Sequence, residues 1–157
     1  TYAITVVVLA LLLMSGLGSG FVQRWPSEVL TKRLHVVLGI VLGLGALQAL
    51  LVPPLLHAVA LGLPISVRLG LTFLCLAPLG FVMGMPFPLA MRIIPEKASG
   101  IVPWAWALNG LMSVSASLGT VIISRLWGYS QAFAVALAFY VIALALAHRL
   151  HKVGEEA

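Results

Sequence analysis

Residues 78–120 read PLGFVMGMPFPLAMRIIPEKASGIVPWAWALNGLMSVSASLGT. Two apolar stretches flank a short charged turn that holds Arg92, Glu96 and Lys97. Pro78 lies inside the first stretch, and Pro86 and Pro88 follow it. A proline within a helix removes a donor and crowds the carbonyl one turn back. Pro78 therefore predicts a kink with a freed carbonyl, and Pro86 and Pro88 predict a stop. Pro103 suits the first position of the second helix, where the missing N–H costs nothing. Gly80 and Gly84 let a neighbouring helix lie against the kinked half.

Working outward, the whole chain is apolar. Its 157 residues are 62% hydrophobic and 8% charged, with mean hydropathy +1.15. A soluble domain carries roughly 25% charged residues, so most of this chain is expected to have lipid as its solvent. A net charge of +5 would suggest nucleic acid in a soluble protein. Here the bases sit between apolar runs, as they do in cytoplasmic loops of membrane proteins, so no nucleic-acid partner is expected. Cys75, the single cysteine, lies in an apolar run and reads as an inert buried thiol.

The expected fold is all-α: a polytopic bundle of about five transmembrane helices with a Pro-kinked third span. A span needs about 20 residues at 1.5 Å each. The spans fall near residues 3–22, 34–52, 66–85, 104–126 and 131–147, followed by a polar tail at 148–157. Pro53 and Pro54 are expected to end the second span. Leu55 to Leu63 is too short to cross, and reads as an interfacial or re-entrant piece. Small residues four apart, Gly16 with Gly20 and Ser15 with Ser19, suggest a close-packing face on the first helix. Gly39, Gly43 and Gly45 suggest another on the second, where Gln48 is expected to bond to a neighbouring helix. Trp25, Trp104 and Trp106 fall at membrane edges, as indoles prefer. Trp127, Gly128 and Tyr129 make a tight turn. The opening Thr-Tyr-Ala has no Met and no basic leader, which reads as a chain that starts partway along something longer.

With five spans, Arg24, Lys32, Arg33, Arg92, Lys97, Arg149 and Lys152 share one side, and only Arg68 and Arg125 face the other. That bias puts the C-terminus in the cytoplasm and Thr1 outside, in a bacterial-type inner membrane.

The fourth span carries Asn109, Ser113, Ser117, Thr120 and Ser124, spaced three or four apart and so on one helical face. The stripe reads as a helix–helix seam with interhelical hydrogen bonds, or as the wall of a polar path. All four acids, Glu28, Glu96, Glu155 and Glu156, lie in loops or the tail, which argues against a complete cation transporter. His35 and His148 stand at span ends. His148 and His151 are three apart, but interfacial solvation and the helix C-terminus account for them better than a metal does. No Ser–His–Asp set, carboxylate pair or phosphate loop occurs. No catalytic residue, cofactor or metal is expected in this chain.

Gly84-Met85-Pro86-Phe87-Pro88, then Pro103-Trp104-Ala105-Trp106 with Asn109-Gly110, and a later Gly128 form a recognisable pattern. It resembles the membrane-embedded C-terminal part of integral-membrane spermidine-synthase-like proteins, which look like major-facilitator-like helices fused to an aminopropyltransferase-type domain. The resemblance runs from Thr1 to about Ala147. It implies a membrane location and a Pro-Phe-Pro turn that packs on the helix bearing Trp104, Trp106, Asn109 and Gly110. The family's catalytic domain has no counterpart here, so no catalytic residue carries over. The expected role is a non-catalytic membrane anchor or scaffold subunit, in contact with the lipid bilayer and with other transmembrane helices or subunits of a larger complex. The alternative is half of a major-facilitator-like transporter, with a polar path along the fourth span.

Overall fold

A computed structural model describes the backbone of residues 2–59 and 62–156, and their side chains except at 2–3, 56–59, 96 and 150–156. Among the described residues six α-helices follow one another: α1 (Tyr2–Val22), α2 (Leu30–Val59), α3 (Ile65–Met83), α4 (Pro86–Ile93), α5 (Val102–Trp127) and α6 (Tyr129–Glu156). Short 3-10 turns at Ser27–Val29 and Glu96–Ile101 lead into α2 and α5. The fold is an all-α membrane bundle. Five segments, Ile4–Val22, Ser27–Leu55, Ile65–Ile93, Lys97–Trp127 and Tyr129–Arg149, are long and apolar enough to cross a bilayer.

Prolines punctuate the helices, though not always as stops. Pro26 and Pro64 sit in extended backbone just before a helix begins. Pro78 is held inside α3, and Pro86 opens α4 instead of merely ending α3. The expected loop after Pro86 is therefore mostly helical. Pro53 and Pro54 do not end α2, which runs through both to Val59. In hydrocarbon a helix that stops exposes unpaired backbone groups, so running through a proline costs less than stopping at one. The penalty falls on the carbonyls of Ala49 and Leu50, which lose their i+4 donors. Residues 55–59 thus belong to α2. Ala60 and Leu61 of the expected interfacial piece, Thr1 and Ala157 lie outside the described residues. No backbone break marks the expected tail, because α6 continues unbroken to Glu156.

The best-packed region is α1 against α3. The two helices end beside each other, where Val22 and Met85 are buried together, and α2 packs on α3. The α1–α3 seam uses Leu11, Met14, Ser15 and Gly18 on α1, and Gly80, Phe81 and Gly84 on and just after α3. A methyl group on Gly18 would lie 2.9 Å from the carbonyl carbon of Phe81, and one on Gly84 would lie 2.6 Å from that of Ser15. Backbone meets backbone here, which only glycine permits. Gly80 and Gly84 thus act as their spacing suggested. On α1 the contact glycine is Gly18, whereas Gly16 and Gly20 face open space. On α2 only Gly45 is in contact, against Leu137 of α6, while Gly39 and Gly43 are open.

One end of the bundle has a true core. Val22, Leu30, Val37, Met85 and Leu89 are buried together, ringed by Trp25, Leu34, Phe81, Val82 and Ile93. Arg33 places its guanidinium 4.3 Å from the centre of the Trp25 ring, and Phe21 meets Trp25 edge-on at 5.7 Å. The short α4 sits under this core, with Leu89 buried. From its last turn Arg92 donates two hydrogen bonds, at 2.6 Å to the Val22 carbonyl and 2.8 Å to the Trp25 carbonyl.

The rest of the molecule is more open. α6 packs along α2, where the His35 and His148 rings meet edge-on at 5.7 Å and Nδ1 of His35 donates to the Thr31 carbonyl at 2.8 Å. α5 packs on α6 and has no buried residue. Between α5 and α6 the chain turns at Gly128, whose φ of 94° is the one left-handed backbone conformation among the described residues. Its N–H closes α5 on the Ser124 carbonyl. A side chain there would be strained even though the surrounding space is open.

Candidate functional site

Two places concentrate polar groups within membrane-length helices, and the sequence pointed to only one of them. That one is α5. Asn109, Ser113, Ser117 and Thr120 are exposed, and Ser124 is half-buried. Hydroxyl groups on a helix can satisfy themselves by bonding to a carbonyl one turn back, and several do so here. Ser113 donates to the Asn109 carbonyl at 2.8 Å and Ser117 to the Ser113 carbonyl at 2.9 Å. Ser115 donates to Leu111 at 2.9 Å and Ser124 to Val121 at 3.1 Å. The stripe is thus one continuous face. Among the described residues no neighbouring helix receives a hydrogen bond from it. The stripe is exposed from Asn109 to Thr120, as is most of α5, where only Val102, Ala105, Gly119, Ile123 and Ser124 are half-buried.

The proline turn sits at the foot of the same helix. Phe87, between Pro86 and Pro88, meets Trp106 edge-on, with ring centres 4.9 Å apart at 82°. The turn and the start of α5 are therefore in direct contact. Trp104 and Trp106 are otherwise exposed, and Gly110 has open space around its Cα.

The second place is a cleft of about 380 Å³ between α2, α3 and the start of α6. Gln48, Ala49, Pro53, Thr72, Cys75 and Tyr129 contribute to its walls, together with Ser130 and Phe133. Nε2 of Gln48 donates to the backbone carbonyl of Cys75 at 2.5 Å, which ties α2 to α3. That carbonyl lies one residue past Leu74, whose own i+4 donor is missing because position 78 is proline. Gln48 thus makes the helix-to-helix bond expected of it. The cleft itself was not legible in the sequence, because its walls come from three segments up to 85 residues apart along the chain. The signal that could have found it is the pairing of two interrupted helices: Pro53 with Pro54, and Pro78. Cys75 is half-buried at its wall.

Three or more metal-ligating side chains do not cluster anywhere among the described residues. In comparisons with known proteins, the chain matches no family model, no curated protein and no solved structure.

Proposed function

We propose that this chain is a non-catalytic membrane module that docks through α5 onto further transmembrane helices of a larger assembly. The observation that carries this reading is the exposed polar face of α5. Small and polar residues from Asn109 to Ser124 line a helix that the rest of the chain leaves almost wholly uncovered. Lipid gains nothing from an exposed amide and a row of hydroxyls. Another helix gains close approach at the serines and a hydrogen-bonding partner at Asn109, typically ~0.6 kcal/mol per bond in membranes. The resemblance to the membrane part of spermidine-synthase-like proteins agrees with such a role. So does the charge bias, which puts the end of the bundle that holds Arg24, Lys32, Arg33, Arg92 and Arg149 in the cytoplasm of a bacterial-type cell.

Extracted from native membranes in mild detergent, the chain should migrate in an assembly well above its 16.6 kDa. Ser113→Leu with Ser117→Leu should return it to the size of one chain in a micelle. A wild-type chain that is already monomeric, or an assembly untouched by the double substitution, would overturn the reading.

A second reading rests on the continuity of the same stripe across the width of the span. It would then line one wall of a path completed by other helices, as in half of a major-facilitator-like transporter. Asn109→Ala with Ser113→Ala should abolish solute uptake into reconstituted vesicles. Unchanged uptake counts against this reading and leaves the docking role standing.

A further inference from the structure

We propose that the cleft between α2, α3 and the start of α6 is a binding site for a neutral, membrane-dissolved amphiphile: an apolar body carrying one hydroxyl group. The proposal is independent of the docking role of α5, which contributes nothing to the cleft walls.

Size comes first. About 380 Å³ falls within the range of small-molecule pockets. At roughly 30 Å³ per heavy atom, the share of a water in liquid, it holds about a dozen such atoms. Polarity comes next. Val52, Leu55, Leu76 and Phe133 make most of the wall apolar, and no charged side chain lines it. An ammonium, carboxylate or phosphate seated there would lose its hydration without a counter-charge, a cost far above that of an alcohol.

The polar groups that remain are unevenly committed. The Thr72 hydroxyl is spent on the Arg68 carbonyl at 2.9 Å. The Gln48 amide donates through Nε2 to the Cys75 carbonyl, and its oxygen accepts no hydrogen bond among the described residues. Ala49 lines the same wall, and Pro53 denies its carbonyl the i+4 donor that a helix normally provides. Two acceptors without a helical or side-chain donor therefore belong to adjacent lining residues of α2. At the α6 side the lining residues Tyr129 and Ser130 carry hydroxyls that can donate. A ligand hydroxyl answers both: its hydrogen goes to the α2 acceptors, and its oxygen accepts from α6. A pure hydrocarbon satisfies neither wall. Irregular helix backbone at membrane depth is tolerated where it lines a cavity, and the paired proline interruptions of α2 and α3 fit that rule.

The test uses the full chain in phosphatidylcholine nanodiscs and a ten-carbon alcohol bearing a mid-chain diazirine. After irradiation, adducts are mapped by peptide mass spectrometry. Saturable labelling is expected on residues 48–55 and 129–133. Excess 1-decanol should reduce it at least tenfold, and equal amounts of decane, decanoate or decylammonium should leave it nearly unchanged. Pro53→Ala restores a donor to the Ala49 carbonyl and favours the helix, so the chain should fold and its labelling should drop about fivefold. Labelling that does not saturate, or that decane displaces as well as decanol does, would mean that lipid chains simply fill the groove, and the proposal fails. Undiminished labelling of Pro53→Ala overturns it as well.

Discussion

Gly18→Val, or Gly84→Ala, should prevent α1 and α3 from packing, with a loss of at least ~3 kcal/mol, the upper end of the cost of overpacking a closed interface. The reason is what the new atoms would meet. On Gly18 the first side-chain carbon would lie 2.9 Å from the Phe81 carbonyl carbon, and on Gly84 2.6 Å from the Ser15 carbonyl carbon. Both obstacles are backbone, which cannot rotate away as the end of a side chain can. The Leu137 methyl facing Gly45, by contrast, belongs to a flexible side chain and can move. The helices would have to separate along the seam, and the core formed by Val22, Met85 and Leu89 lies at the end of that seam. Gly16→Ala and Gly20→Ala are the controls. Neither faces an atom within 4 Å, so each should change stability by less than ~0.5 kcal/mol. Unfolding in mixed micelles, followed by Trp25 fluorescence, separates the two classes. Equal effects at Gly16 and Gly18 would disprove the assigned seam.

That contrast also shows where sequence reasoning reached and where it stopped. Hydropathy identified five apolar helices of membrane-crossing length, because the requirement to cross ~30 Å of hydrocarbon leaves little freedom in their number. Which glycines touch is a different matter. In a run such as Ser15 to Gly20 every turn offers a small residue, and spacing by fours selected Gly16 and Gly20. The contact face instead follows the 3.6-residue period through Leu11, Met14, Ser15, Gly18 and Val22, and only the position of α3 reveals it. Pro53 and Pro54 misled for a similar reason. Their local chemistry is that of a stop, but the surrounding solvent penalises stopping more than it penalises two missing donors. The stripe on α5 was legible as a face from residue spacing alone. Its exposure was not, since nothing in that helix states where its neighbours lie. The cleft was hidden entirely, because it exists only where three segments distant in sequence meet.

Arg92→Ala should cost about 2 kcal/mol of stability, and Arg92→Lys should recover less than half of it. In sequence Arg92 is one of seven bases on the side assigned to the cytoplasm, and charge alone would explain it. The structure adds a second task. A helix ends with carbonyls that lack donors. Arg92 meets carbonyls at and just beyond the end of α1 with both arms of its guanidinium, reaching Val22, which also accepts from the Trp25 N–H, at 2.6 Å and Trp25 at 2.8 Å. Each such bond from a charged donor contributes about 1.5–3 kcal/mol when sheltered, and the exposed side of the guanidinium reduces that total. The fork ties α4 to α1 across the α3 terminus, so it holds the Pro86–Pro88 turn at the height where Phe87 meets Trp106. Lysine keeps the charge but is a single point donor that cannot span two carbonyls in fixed geometry. The two tasks therefore separate experimentally. Arg92→Lys should leave the orientation of the chain unchanged in a C-terminal reporter assay while lowering its unfolding midpoint. Lys97→Ala should do neither. If lysine restored full stability, Arg92 would be serving the membrane through its charge alone, and the hydrogen-bonded fork would have no role in holding α1.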